Sequence, residues 1–206
     1  MMKHIFQKGS NPFKPTLLLL HGTGGNELDL LPLAEKIDDE APVLSVRGNV
    51  IENGMPRFFR RLAEGVFDEK DLKFRTKELN EFLDKAAQKY EFDRNNIFAV
   101  GYSNGANIAA SLLFHYQNAL KGAILHHPMV PIKGMALPVL SGKSIFITAG
   151  TNDPLISPME SVELQSLLEK AQANVELHWE NRGHQLTMEE VEAAAKWYET
   201  IVKGVK

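Results

Sequence analysis

Ser103 lies between two glycines in the segment FAVGYSNGANIAASLLF, residues 98 to 114, and a serine in that setting is a candidate nucleophile. The apolar run before Ser103 predicts a strand, and a helical pattern begins at Asn104. In such a G-x-S-x-G turn the hydroxyl projects beyond the strand end, and the helix N-terminus favours developing negative charge. A side chain at Gly101 or Gly105 would clash with the neighbouring strand or helix. The motif therefore predicts a nucleophilic turn rather than an ordinary one.

A serine hydroxyl needs a general base, and the chain offers one after a later strand. His184 follows the strand pattern VELHWE, and Asp153 follows the strand pattern SIFITAG. In α/β-hydrolases the chain order is nucleophile, acid and histidine, each on a loop after a strand, and this chain has that order. Alone, Asp153 suits a turn and His184 suits a loop. Together with Ser103 they predict a triad in which His184 is the general base and acid and Asp153 orients it.

The glycine-rich segment HGTGGNE, which begins at His21 directly after a strand pattern, predicts a site for negative charge. The backbone amides of Thr23 and Asn104 are the expected donors of an oxyanion hole. One lies in the glycine-rich turn, and the other lies next to the nucleophile. We expect the ring of His21 to bond to neighbouring backbone rather than to take part in chemistry. Glu27 either starts the next helix or orients a substrate group.

Alternating strand and helix patterns must position these groups. Continuous apolar runs predict strands at 16–21, 43–47, 97–102, 122–127, 144–150 and 175–180. Amphipathic patterns predict helices at 28–39, 72–89, 104–115, 158–173 and 188–202. The alternation predicts an α/β fold, with a mostly parallel central sheet and helices on both faces, in a single domain over residues 1–206. The segment 48–70 reads as irregular, and forms either a wall or lid over the site or a plain surface loop.

Four segments, HGTGGNE, GYSNGA, TNDPLIS and RGHQLT, resemble the small cytoplasmic carboxylesterases of the α/β-hydrolase fold. This branch is grouped with phospholipase/carboxylesterases, acyl-protein thioesterases and dienelactone hydrolases. The resemblance spans residues 21–187 and implies a minimal α/β-hydrolase fold without a large lid domain. It implies the same triad and the same two oxyanion donors. Acyl-protein thioesterases usually have Gln after the serine and Leu in the oxyanion turn, so Asn104 and Thr23 argue against that activity.

The residues and the resemblance together predict a serine carboxylesterase that acts on short-to-medium-chain esters through an acyl-enzyme on Ser103. The candidate pocket residues are Phe58, Met129 and Leu155, which are apolar and lie near the loops of the site. A thioester, a lysophospholipid or an aromatic ring-cleavage product would suit the same triad. A non-catalytic binding module on this scaffold is the third hypothesis, and its expected mark, a broken triad, is not found.

Charge and composition exclude other classes of protein. The formal net charge of −3 gives no strong field for nucleic acid or an anionic membrane, and we interpret Arg57, Arg60 and Arg61 as a solvated basic face. The N-terminal segment lacks the apolar stretch of a signal peptide, and no apolar run is long enough to span a bilayer. We therefore expect a cytoplasmic protein without a stable membrane anchor. Trp197 and Tyr198 in the last helix belong either to the core or to the interface of a homodimer.

No cofactor and no metal are expected. The chain has no cysteine, so thiolate metal sites are excluded. HGTGGNE fails the dinucleotide fingerprint because Glu27 stands where the third glycine is needed, and SGKS at 141–144 fails the P-loop pattern because Leu137 replaces its first glycine. His126 and His127 are adjacent, so in a strand their side chains would point to opposite faces.

Overall fold

The structure, a computed structural model, describes residues 2–204 as strands and helices that alternate along most of the chain. Its strands are β1 (His4–Gln7), β2 (Thr16–Leu20), β3 (Val43–Val46), β4 (Val50–Glu52), β5 (Met55–Arg57), β6 (Arg61–Ala63), β7 (Val66–Phe67), β8 (Ile97–Tyr102), β9 (Gly122–His126), β10 (Ser144–Gly150) and β11 (Asn174–Glu180). Its helices are α1 (Leu31–Ile37), α2 (Glu69–Tyr90), α3 (Asn104–His115), α4 (Pro158–Lys170) and α5 (Met188–Gly204).

Seven strands form one sheet in the order β1-β3-β2-β8-β9-β10-β11. Every neighbouring pair is parallel except β1 with β3, which is antiparallel. The central strands β2, β8 and β9 are buried along nearly their whole length, as their continuous apolar runs predict. Parallel pairing places the carboxyl ends of β2, β8, β9, β10 and β11 at one edge of the sheet, so the segments that follow them meet there.

Two hydrophobic cores lie on the two faces of the sheet. One core contains Leu17, Phe98 and residues of α1 and α5, and the other contains residues of α2, α3 and α4. Trp197 and Tyr198 belong to the first core, where their ring centroids lie 6.1 and 5.2 Å from that of Phe98. These two residues therefore pack inside the protein. Among residues 2–204, no helix combines the length and the apolar character that crossing a membrane requires.

The observed helix ends follow local hydrogen bonds that the apolar pattern does not reveal. α1 begins later than predicted, because Asn26 and Asp29 bond to nearby backbone and to each other in a turn before it. α2 begins earlier than predicted, because the carboxylate of Asp68 accepts from two amides of the first turn, both at 3.1 Å. β8, β10 and α3 have the bounds that the sequence predicts.

The segment 48–70 is not irregular, which corrects the sequence-based interpretation. It forms two antiparallel hairpins, β4 with β5 and β6 with β7. These strands are two or three residues long, and most of their side chains are exposed or half-buried, so they lack the hydrophobic alternation that predicts a strand. The half-buried edge strand β1 was missed for the same reason.

The close packing of Gly105 in α3 against Leu20 in β2 leads to a prediction about stability. A Cβ at Gly105 would lie 1.9 Å from the carbonyl oxygen of Leu20 in β2. Gly105→Ala should lower the free energy of unfolding by about 1–3 kcal/mol or more, because the added methyl group forces the helix away from the strand. Gly204→Ala is the control, since a Cβ there meets nothing within 4 Å. Urea denaturation measures both, and an unchanged midpoint for Gly105→Ala would contradict the close approach.

Candidate active site

Ser103 forms the turn between β8 and α3 in a strained conformation, with φ 51° and ψ −111°. Its amide donates to the carbonyl of His126 at 2.8 Å, which holds the turn against β9. A Cβ at Gly101 would lie 2.7 Å from backbone atoms of Ala106, so glycine is needed for α3 to start this close to β8. The serine therefore lies at the carboxyl edge of the sheet, where the G-x-S-x-G motif predicts it.

Three side chains form a chain of hydrogen bonds at this edge. Oγ of Ser103 lies 2.9 Å from Nε2 of His184, and Nδ1 of that ring lies 2.7 Å from Oδ2 of Asp153. Because a carboxylate only accepts, Nδ1 carries the proton and Nε2 accepts from the serine. The amides of Leu155 and Ile156 donate to Oδ1 of Asp153 at 2.8 and 3.2 Å. Burial alone would raise the pKa of Asp153, but the hydrogen bonds from His184 and these amides lower it overall.

The loops after β10 and β11 touch, which brings the acid to the histidine. A Cβ at Gly150 would lie 2.1 Å from the carbonyl oxygen of Gly183. The amide of Gly183 donates to Oδ1 of Asn152 at 2.8 Å, and the hydroxyl of Tyr102 donates to the carbonyl of His184 at 2.7 Å. The loop that carries His184 is thus fixed both to the loop that carries Asp153 and to Tyr102, the residue before Ser103.

The glycine-rich turn after β2 faces the same site. Thr23 and Asn104 line one pocket with Ser103, and among residues 2–204 neither of their backbone amides has a hydrogen-bond acceptor. The ring of His21 shapes this turn: its Nε2 accepts from the amide of Gly48 at 3.0 Å, so Nδ1 donates to the carbonyl of Gly22 at 2.6 Å. Burial lowers the pKa of His21, which favours this neutral form.

The pocket beside the serine has a volume of about 230 Å³. Met129 and Leu155 line it, as do Gly65 and Phe67 of the second hairpin. The segment 48–70 is therefore a wall of the site rather than a plain surface loop. Ser103 and His184 line the same pocket.

Residues 2–202 match the family model for phospholipase/carboxylesterases. The chain belongs to this family. The structure is similar to a Bacillus cereus carboxylesterase, with a TM-score of 0.97, 76% identity and coverage of 98% of this chain and 95% of that one. It is also similar to YahD, which was solved with malic acid, with a TM-score of 0.93, 32% identity and coverage of 98% and 100%.

A second relative extends the comparison to Bacillus subtilis (strain 168). Its protein MhqD, whose name describes it as a hydrolase, is 58% identical over 201 residues, which are 98% of this chain and 100% of that one. The α/β-hydrolase fold predicted from the sequence is confirmed, as is membership of a family of ester-hydrolysing serine hydrolases.

Two predictions made from the sequence, one for Phe58 and one for the arginine cluster, need correction. Phe58 does not line the pocket: it is 1% exposed, and its ring packs against His21 with centroids 4.8 Å apart. An aromatic side chain between two hairpins gains more from burial in the core. Arg57 is not part of a solvated face, because it is 4% exposed and lines the pocket. Arg61 is half-buried and also lines the pocket, so of the three arginines only Arg60 is exposed as predicted.

Asp153 has a second histidine partner that the sequence analysis did not assign to the site. Nδ1 of His127 lies 3.3 Å from Oδ2 of Asp153, and its Nε2 lies 2.9 Å from Oε1 of Glu190, at an angle that is poor for a hydrogen bond. All three side chains are almost completely buried. One ligand atom from each of His127, Asp153 and His184 lies within 4.8 Å of the other two, but each histidine contacts Asp153 at the length of a hydrogen bond. We therefore interpret the cluster as a hydrogen-bonded network and not as a metal site.

Glu190 also starts α5. Its Oε2 accepts from the amide and the hydroxyl of Thr187 at 2.8 and 3.0 Å, and the amide of Glu190 donates back to that hydroxyl oxygen at 3.2 Å. This is a capping box, and the T-x-x-E spacing in the sequence was the signal that could have located it. Burial alone would raise the pKa of Glu190, but the contacts with His127 and Thr187 lower it overall.

Glu27 neither starts α1 nor lines the pocket beside Ser103. Its carboxylate pairs with Arg47 after β3 and with Lys3, the latter at 3.2 Å. Burial alone would raise the pKa of Glu27, but hydrogen bonds from its own amide, Arg47 and Lys3 lower it overall. Glu27 therefore connects the segment after the glycine-rich turn to the residue that follows β3.

The depressed pKa of Glu190 generates a prediction about stability and pH. A carboxyl whose pKa is lower in the folded than in the unfolded protein stabilises the fold above the unfolded value, here about 4.5. That contribution is lost as the pH falls below the pKa of the unfolded protein and then through the lower pKa of the folded protein. Glu190→Gln keeps the capping box but not the charge, so its free energy of unfolding should be lower at neutral pH by about 1–3 kcal/mol.

Urea denaturation between pH 7 and pH 3 tests this prediction, with the gap between wild type and Glu190→Gln narrowing as the pH falls. Glu189→Gln is the matched control, because it removes an exposed carboxylate from the same helical turn. A gap that stays constant across the range would contradict the assignment.

Proposed function

We propose that this protein is a serine carboxylesterase that hydrolyses short-to-medium-chain esters through an acyl-enzyme on Ser103. The observation that carries the proposal is the unbroken chain of hydrogen bonds from Ser103 through His184 to Asp153, with the serine held on a strained turn. A serine hydroxyl is a weak nucleophile unless an adjacent base accepts its proton, and His184 is placed to do so. A non-catalytic binding module would need neither the strained turn nor the hydrogen-bonded base.

In the proposed acylation step, Oγ of Ser103 attacks the carbonyl carbon of the ester while its proton passes to Nε2 of His184. The carbonyl oxygen becomes negative and accepts hydrogen bonds from the amides of Thr23 and Asn104. Each donor of this kind typically contributes a factor on the order of 100 or more in rate. The bond to the alcohol then breaks, and His184 gives the proton to the leaving oxygen. Asp153 holds the ring and stabilises its charged form throughout.

The proposed second step regenerates the serine. A water molecule gives a proton to His184 and attacks the acyl carbon, and the proton then returns to Oγ of Ser103 as the acid leaves. The products are an alcohol and a carboxylic acid. One relative, YahD, was solved with malic acid, and we propose that a small carboxylic acid also binds to this chain, as the product of its reaction.

The size of the pocket supports a small substrate. Its volume of about 230 Å³ is below the range of roughly 300–1,000 Å³ common for ligand sites. Met129 and Leu155 offer an apolar wall for a short acyl chain. The acyl chain of a lysophospholipid would extend beyond this volume, so that alternative is less favoured. Thioesters and small aromatic ring-cleavage products remain alternatives, because the same side chains would act on them.

The proposal predicts that p-nitrophenyl acetate and butyrate are hydrolysed with higher kcat/KM than the palmitate ester. Ser103→Ala should reduce kcat on the order of a thousandfold or more, because the nucleophile is lost. Ser157→Ala is the control, since Ser157 caps α4 and does not line the pocket. Steady-state assays on the series from acetate to palmitate measure both effects.

A covalent probe supplies the second readout. A fluorophosphonate should add one adduct to wild type, and peptide mass spectrometry should place it on Ser103. Equal rates for wild type and Ser103→Ala would disprove the serine mechanism, and a preference for palmitate would disprove the limit on chain length.

A further inference from the structure

A buried guanidinium forms part of the pocket wall beside Ser103. Nη1 of Arg57 donates to the hydroxyl of Thr23 at 2.7 Å, and its Nε donates to the carbonyl of Phe59 at 3.2 Å. Among residues 2–204, Nη2 of Arg57 has no hydrogen-bond acceptor. A guanidinium carries five N–H donors, so this one has donors left for a ligand.

The charge of Arg57 is only partly compensated. Oε2 of Glu52 lies 3.5 Å from Nε of Arg57 and 3.0 Å from Nε of Arg61, so one carboxylate serves two guanidinium groups. Glu64 also lines the pocket, but it is exposed between β6 and β7, where water and salt screen it. Burial lowers the pKa of Arg57, Glu52 raises it and Arg61 lowers it. An anion bound in the pocket would compensate the remaining positive charge.

Two asparagine side chains belong to the same wall, and one of them adds an accessible donor. Oδ1 of Asn104 accepts from the amide of Phe58, and Oδ1 of Asn107 accepts from the amide of Met129, both at 2.7 Å. These backbone donors fix which end of each carboxamide carries the NH₂ group. Nδ2 of Asn104 is buried with no acceptor, and none is found for Nδ2 of Asn107 among residues 2–204. Both residues line the pocket, and Nδ2 of Asn107 is the carboxamide donor that a ligand there can reach.

We propose that Arg57, together with Asn107, binds a carboxylate that the substrate carries in addition to its ester group. This inference rests on the proposed function, in which the ester oxygen takes the amides of Thr23 and Asn104. The remaining donors then need a second acceptor, and a guanidinium matches the planar geometry of a carboxylate. Thr23 contributes to both the oxyanion hole and the carboxylate site, because its amide belongs to the first and its hydroxyl accepts from Arg57 in the second. The carboxylate therefore binds beside the oxyanion hole.

Two pairs of matched esters test the preference in wild-type protein. Monoethyl glutarate is compared with ethyl pentanoate, where a methyl group replaces a carboxylate on the acyl part. Para-acetoxybenzoate is compared with para-tolyl acetate, where the same change is made on the alcohol part. A hydrogen-bonded charge pair should raise kcat/KM for the charged member of one pair by roughly 10- to 100-fold. The responding pair identifies which part of the ester carries the carboxylate, and equal or lower rates for both charged members would overturn the proposal.

Variants assign the preference to Arg57. Arg57→Met should reduce the charged-to-neutral ratio of kcat/KM to near 1, mainly through a higher KM for the charged ester. The ratio is the readout, because loss of the bond to Thr23 also affects turnover of both esters. Arg60→Met is the matched control: it removes the same charge from an exposed neighbour that does not line the pocket, and it should keep the wild-type ratio. A ratio that survives in Arg57→Met would overturn the proposal.

Binding of glutarate, which has two carboxylates and no ester, gives a second readout, and its shift of Tm does not depend on turnover. Glutarate should inhibit wild type competitively and raise its Tm. In Arg57→Met, the glutarate concentration needed for either effect should be at least tenfold higher. If that variant does not fold, wild-type inhibition by glutarate but not by glutaramide supports the subsite, and equal inhibition by both overturns it. Full activity of Ser103→Ala on ethyl pentanoate would instead disprove the proposed function, while glutarate binding still decides the fate of the subsite.

Discussion

The strained backbone of Ser103 is the constraint on which the rest of the site depends. A non-glycine residue at φ 51° and ψ −111° costs on the order of 1–3 kcal/mol, which surrounding contacts must offset. The two glycines of the motif make those contacts available, because larger residues at Gly101 or Gly105 would collide with Ala106 or with β2. The buried strands, the helix and both glycines therefore have to occur together for the hydroxyl to be presented.

The acid and the histidine lie on loops, so their positions depend on contacts outside the triad itself. Asp153 accepts from two backbone amides and from His127, which contacts Glu190 in turn. Glu190 caps α5, so the start of the last helix and the orientation of the acid are linked through one buried carboxylate. A site held in this way needs little rearrangement during the reaction, since its hydrogen bonds already have their working directions.

The sequence could predict the sheet and the three triad candidates because their signals are local. β8, α3 and the G-x-S-x-G motif are read from one continuous segment, and Asp153 and His184 follow strongly apolar or alternating strands. The hairpins gave no such signal, since strands of two or three residues have too short a pattern to detect. The burial of Arg57 depends on contacts with Thr23 and Glu52, and no local pattern distinguishes it from the exposed Arg60.

The triad residues that the sequence predicts lie at the ends of the sheet strands, and the buried arginine that it does not predict lies on a hairpin. The loops at the ends of the parallel strands carry Ser103, Asp153 and His184, the groups of the proposed chemistry, and the sheet sets where those loops lie. The two hairpins carry Arg57, Arg61 and Phe67 to the pocket, and their short strands pair with each other rather than with the seven-stranded sheet. Thr23 joins the two parts, because its hydroxyl accepts a hydrogen bond from Arg57 while its amide is the proposed donor to the ester oxygen. In the proposed function, the hairpins therefore select the substrate, while the chemistry depends on Ser103.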